Sequence, residues 1–252
     1  MFKKNPPFSL HAVAGFVLLC GAFAAILGGI AGELSSTAIP TDGGSGLDAG
    51  IEPLPYTVVI DAGHGGEDGG TQSAAGLEEK TVNLEIARML DTMLRTAGIP
   101  TVMTRTEDIL LYDRNADYKG HKKMLDLAAR RQIAEKTEGA IFISIHMNAF
   151  PEEKYRGLQV FYSPHDTQSQ ALAQTVQAET KRLLQPDNQR KIKKATSSIY
   201  LLDRLHCPAI LIECGFLSNS KEAALLETEE YRKQLAFVLF CAVMSHISEY
   251  NA

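Results

Sequence analysis

With 252 residues, 45% of them hydrophobic, and a net charge of −5, the chain has room for one sizeable α/β domain and little left for a second. Its 25 basic residues against 30 acidic ones form no basic stripe, which argues against a nucleic-acid partner. Cys20, Cys207, Cys214 and Cys241 make no C-x-x-C pair and no disulfide framework of the small secreted type.

In chain order, residues 1–33 read as a targeting or anchoring segment. Lys3 and Lys4 precede an uncharged, largely apolar run from Ala12 to Gly32, about long enough to span a bilayer. The lysines predict a cytoplasmic N-terminus and an exported remainder. A cleaved signal peptide is the rival reading, with Ala22-Phe23-Ala24 as a small-x-small site. Bulky Leu19 ahead of Cys20 does not suit a lipid-modified cysteine. Residues 34–55, rich in Ser, Thr, Gly, Pro and Asp, predict a flexible linker, and residues 56–252 the folded domain.

The domain opens with an apolar strand, Thr57 to Ile60, running into the glycine-rich turn Asp61-Ala62-Gly63-His64-Gly65-Gly66. A helix follows: Leu84, Ala87, Leu90 and Leu94 form one stripe, and Gly98 is its stop. Glu78 and Glu79 stand at its start, where the helix dipole favours carboxylates. A second strand is expected over Pro100 to Arg105, a long polar loop over Thr106 to Lys123, and a helix over Met124 to Glu138. The apolar run Ala140 to Ile145 then ends in His146. Further on, a strand is expected over Gly157 to Ser163 and a helix over Thr167 to Leu184. Gln189 to Lys194 reads as a solvated basic loop, or else as a contact for an anionic polymer or a peptide carboxylate. Strands are expected at Ile199 to Leu202 and Ala209 to Glu213, and a terminal helix over Glu222 to Tyr250. Strands alternating with helices predict a mainly parallel, twisted sheet covered on both faces, with catalytic residues at strand carboxyl ends. Cys214, one residue beyond Glu213, should face the opposite side of its strand as a buried small hydrophobe.

Three buried strands thus deliver His64, His146 and Glu213 to one sheet edge, where open α/β sheets bind ligands. Two histidines and one acidic residue suit a catalytic zinc, which takes three N or O ligands and keeps a position open for water. A further carboxylate must then carry the proton, and Glu213 is placed for it. Asp61 and Asp68 are rival ligands, and Asp61 could instead orient a histidine.

The stretches Ile60-Asp-Ala-Gly-His64-Gly-Gly, Glu79-Lys80-x-x-Asn83-Leu84, Ser144-Ile-His146-Met-Asn148-Ala149 and Pro208-Ala-Ile-Leu-Ile-Glu213-x-Gly215-Phe216-x-Ser218-Asn219 resemble successive motifs of the zinc-dependent N-acetylmuramoyl-L-alanine amidases. The resemblance covers about residues 56 to 249. It implies zinc held by His64, Glu79 and His146, with Glu213 as catalytic acid/base. Glu79 rather than Glu78 is implied because the family glutamate directly precedes the lysine. The implied reaction is hydrolysis of the amide between N-acetylmuramic acid and L-alanine, so the partners are peptidoglycan stem peptide and glycan. The short exported layout and Tyr200-Leu201-Leu202 resemble the germination-specific spore-cortex amidases, whose action precedes muramic-δ-lactam formation and which an accessory lipoprotein assists in some spore formers. Two departures stand out: there is no wall-binding repeat, and Ala149 to Thr167 is too short for a self-blocking helix. Another zinc hydrolase of the wall, a peptidase or deacetylase, and a non-catalytic wall-binding module are the competing classes.

Overall fold

The structure, a computed structural model, describes residues 54–112 and 120–250. The expected anchor, nearly all of the linker, and part of the expected loop over Thr106 to Lys123 lie outside the described residues. No helix among the described residues is long and apolar enough to cross a membrane.

Six strands, β1 (Thr57–Ala62), β2 (Thr101–Met103), β3 (Ala140–Asn148), β4 (Gln159–Tyr162), β5 (Lys193–Lys194) and β6 (Ala209–Phe216), form one sheet in the order β2-β1-β3-β6-β4-β5. β2, β1, β3 and β6 run parallel, and β4 pairs with β6 antiparallel. The helices are α1 (Glu79–Thr96), α2 (Lys122–Lys136), α3 (Thr167–Leu183), α4 (Tyr200–Arg204), α5 (Ser220–Leu226) and α6 (Glu229–Tyr250). The sheet and its flanking helices agree with the expected fold class.

The period-2 alternation of the strands divides their side chains between two cores. Val58, Ile60, Ile141, Ile143, Ile210 and Ile212 join residues of α1, α3 and α6 in the larger one. Val59, Phe142 and Leu211 join Ala134 of α2 and Leu201 and Leu202 of α4 in the smaller one. Following the second set toward the strand carboxyl ends, the apolar residues give way to Asp61 on β1, Ser144 and His146 on β3, and Glu213 on β6. Cys214, on the opposite face, is fully buried in the larger core, as the alternation requires.

The chain leaves β1 for β2 on one side and later returns to β3 on the other. The carboxyl ends of β1 and β3 therefore flank a topological switch point, the usual ligand crevice of such sheets.

Three expected elements differ. Ile199 to Leu202 is not a strand: Tyr200–Arg204 is a short helix whose Leu201 and Leu202 are buried, and so short an apolar run carries no decisive period. The single terminal helix is two, α5 and α6, because Asn219 caps the first and the chain turns at Glu227 and Thr228. The basic run is not wholly solvated, since Lys193–Lys194 adds an edge strand and Arg190 packs against the protein.

Candidate metal centre

His64 follows β1 in the left-handed region at φ 61°, uncommon for a residue with a side chain. Two buried arginines hold that turn. Arg130 on α2 donates from Nη1 to Asp61 Oδ1 and Ala62 O (both 2.7 Å) and from Nη2 to His64 O (2.7 Å). Arg105 donates to Ala62 O (2.8 Å) and Gly63 O (3.0 Å). Asp61 also accepts from Thr104 Oγ1 (2.7 Å) and Ser144 Oγ (2.6 Å). Burial works against its ionisation, but the Arg130 charge and these hydroxyls hold its carboxyl below the usual range. Asp61 therefore spends its carboxylate on Arg130 and two hydroxyls rather than on an imidazole, and it acts on His64 through Arg130 and the backbone.

His146 comes from the carboxyl end of β3 and Glu79 from the first turn of α1. His64 Nε2 lies 3.2 Å and His146 Nδ1 2.9 Å from the same oxygen, Glu79 Oε1. The two imidazoles meet edge to face with centroids 5.0 Å apart. Glu79 is fixed by the Met147 N–H (3.0 Å) on Oε1 and the Thr71 N–H (2.9 Å) on Oε2. Asn83, one turn along α1, donates to Gly63 O (3.1 Å) and ties helix to turn. Asp68 Oδ2 stands 3.0 Å from His64 Nδ1, so the carboxylate behind that histidine is Asp68.

Close approach explains two of the glycines. A Cβ on Gly63 would sit 2.3 Å from the His146 ring. On Gly70, at φ 69°, it would meet Glu79 Oε2 at 2.5 Å and His64 Cδ2 at 2.8 Å.

Burial opposes charge on Glu79, yet hydrogen bonds from His146 and His64 and their charges hold its carboxyl well below the ordinary value. Burial likewise opposes charge on His64, and Glu79 and then Asp68 raise it. Three ligand-type atoms, one each from His64, Glu79 and His146, lie within 4.8 Å of one another. Two imidazoles and a carboxylate converging from rigid elements, with a carboxylate behind one imidazole, fit a divalent metal of the zinc type. Glu78, by contrast, turns outward, 3.6 Å from Lys80 Nζ.

Glu213 is the direct neighbour of His146 across β3 and β6, on the same face. Its Oε2 is buried with no hydrogen-bond partner, and burial pushes its carboxyl up to about 7. The four expected residues therefore meet at one edge. Arg130 and Arg105 were not singled out from sequence, and Asn83 stood in a motif without a role. The available signal was Asp126, Arg130 and Ala134 at i, i+4, i+8, the buried line of α2, which is polar where a core stripe should be apolar.

Residues 58–243 match the sequence profile of the family described as N-acetylmuramoyl-L-alanine amidase. The germination-specific N-acetylmuramoyl-L-alanine amidase of Bacillus subtilis is 34% identical over 198 residues, covering 78% of this chain and 82% of the relative. Among solved structures, the CwlD amidase from Clostridioides difficile in complex with the GerS lipoprotein superposes with a TM-score of 0.73 at 36% identity, covering 77% of this chain and 99% of that one. The amidase AmiC2 of Nostoc punctiforme superposes with a TM-score of 0.65 at 28% identity, covering 78% and 99%.

Proposed function

The chain belongs to the N-acetylmuramoyl-L-alanine amidase family and is a cell-wall amidase, and from that premise we propose that it is a zinc enzyme of the spore cortex. In this reading His64, Glu79 and His146 hold the ion and Glu213 carries the proton. Zinc, when bound there, acidifies a water and polarises an amide carbonyl. Glu213 takes the proton of the attacking water and delivers it to the departing nitrogen of L-alanine, leaving a free lactyl carboxylate on the sugar and a free amine on the peptide. The observation that carries the reading is the convergence of two imidazoles and a well-fixed carboxylate beside a buried carboxyl with an unpartnered oxygen.

The cortex role, with removal of stem peptides ahead of muramic-δ-lactam formation, is supported by similarity to the germination-specific relative. That the CwlD structure contains a lipoprotein supports an accessory lipoprotein as partner here. Residues 1–33 are proposed to place the enzyme outside the cytoplasm, at the membrane or secreted.

Digestion of purified muropeptides with and without a chelator tests the reading. Free stem peptides and peptide-free glycan, lost on chelation and restored by zinc, are expected. Cleavage within the peptide, or release of acetate, would overturn it.

A further inference from the structure

One half-buried cation near the reaction edge has no part in the chemistry above. The loop after α3 brings Arg190 to the first residue of β4, where its guanidinium is held on three sides. Nε donates to Arg156 O (2.7 Å), Nη1 donates to Gln159 Oε1 (2.8 Å), and Cζ lies 4.4 Å from the centroid of the Phe216 ring. All three partners are neutral. Gln159 is in turn anchored by donation to Lys191 O (2.8 Å). Nearby Glu222 is committed elsewhere, accepting from Gly157 N and Phe216 N (both 2.8 Å). An arginine held rigid in this way keeps a positive charge and part of its donor fork unmatched. That fork fits a carboxylate in two-point geometry.

Position supplies the second half of the argument. Gln159 is the direct partner of Glu213 across β4 and β6, so the two side chains stand on one face about 5 Å apart. Arg190 therefore lies one strand beyond Glu213, on the side away from His146. Arg190 also lines a groove of about 1110 Å³ whose wall carries Arg156 and Lys221 together with Glu153 and Asp187. An extended residue spans about 3.3 Å, so a peptide leaving the reaction centre along this side reaches Arg190 after about two residues.

We propose that Arg190 is a specificity-determining residue that binds a free carboxylate of the stem peptide about two residues from the scissile amide. This rests on the amidase reading above. The groove that Arg190 lines takes the continuing peptide; its wall carries both signs of charge, so the preference for a carboxylate rests on Arg190 itself.

Two muropeptides identical except that the peptide carboxylate nearest the sugar is free in one and amidated in the other test this. Wild-type protein should show kcat/KM about ten- to hundredfold higher on the free acid. Arg190→Gln should bring the acid down toward the level of the amide, lowering the acid far more than the amide, with the bound zinc retained. Arg190→Lys, which keeps the charge and much of the packing on Phe216, should retain part of the preference. Equal rates of wild type on both substrates, or an equal loss on both in a metal-loaded Arg190→Gln variant, would overturn the proposal. The amidase reading has its own readout, since it fails if wild-type protein releases peptide from neither substrate. Calorimetric titration with the two peptides alone then still decides the subsite. Binding of the acid form that Arg190→Gln abolishes supports it, and equal binding of both forms refutes it.

Discussion

Glu213 lies so close to the imidazoles that replacing it tests chemistry and electrostatics together. In the metal-free protein burial lifts its carboxyl to about 7 from the usual 4.5. Glu213→Gln should lower turnover by about 10²–10⁴-fold with zinc content intact. Full activity in a stable, metal-loaded variant would remove Glu213 from the mechanism. The same substitution carries a signed pH effect in metal-free protein. Below pH 4.5 the carboxyl is protonated both folded and unfolded and costs nothing. As pH rises through about 7 the folded state must release a proton that it binds more tightly than the unfolded chain does, losing at most about 3 kcal/mol of stability. Metal-free Glu213→Gln should therefore be more stable than wild type at pH 8 and equal to it at pH 4 in urea melts. Zinc should shrink the difference, because a nearby dication favours the carboxylate. Glu79 and Glu78 provide the second contrast at this scale. Glu79 faces both imidazoles, whereas Glu78 has a half-exposed side chain. Glu79→Ala should lose bound zinc and Glu78→Ala should keep it, as read by metal analysis after dialysis. Equal metal content in the two would mean that Glu79 is not a ligand.

At the level of elements, a loop is held as firmly as a strand. β1 ends in a left-handed histidine, and the turn persists because α2 threads Arg130 beneath it. The buried Asp61–Arg130–Asp126 line ties the tip of β1 to a helix whose inward face is charged. Removing one partner of a buried ion pair leaves the other charge uncompensated, which costs about 3–5 kcal/mol. Arg130→Met should lose stability of that order in urea melts, and adding Asp61→Asn should recover part of it. A neutral Arg130→Met would show that the turn stands by itself. The weak apolar stripe of α2 follows from the same arrangement, since the positions facing the sheet end are spent on Asp126 and Arg130. Likewise Asn219, within the last of the four motifs, caps α5 by accepting from Lys221 N and Glu222 N. That part of the motif serves the fold.

For the molecule as a whole, the sheet starts at Thr57 and its two cores draw on residues from Tyr56 to Ile247. A shortened chain beginning at Leu54 should be soluble, fold cooperatively and take up one zinc. Aggregation or loss of metal in that chain would place the domain boundary further upstream. The sequence by itself determined the parallel sheet, because long apolar strands alternating with helical stripes have no other economical packing. It also placed His64, His146 and Glu213 on one edge, because each ends or closely follows such a strand. Tertiary structure alone decided what lies behind them. Arg130 reaches Asp61 across 69 residues and Arg105 reaches Gly63 across 42. Arg190 meets Gln159 across 31. No local period encodes which buried cation a turn will meet, and a charged residue in a helix or loop reads from sequence as solvated until the packing of another element takes its water away.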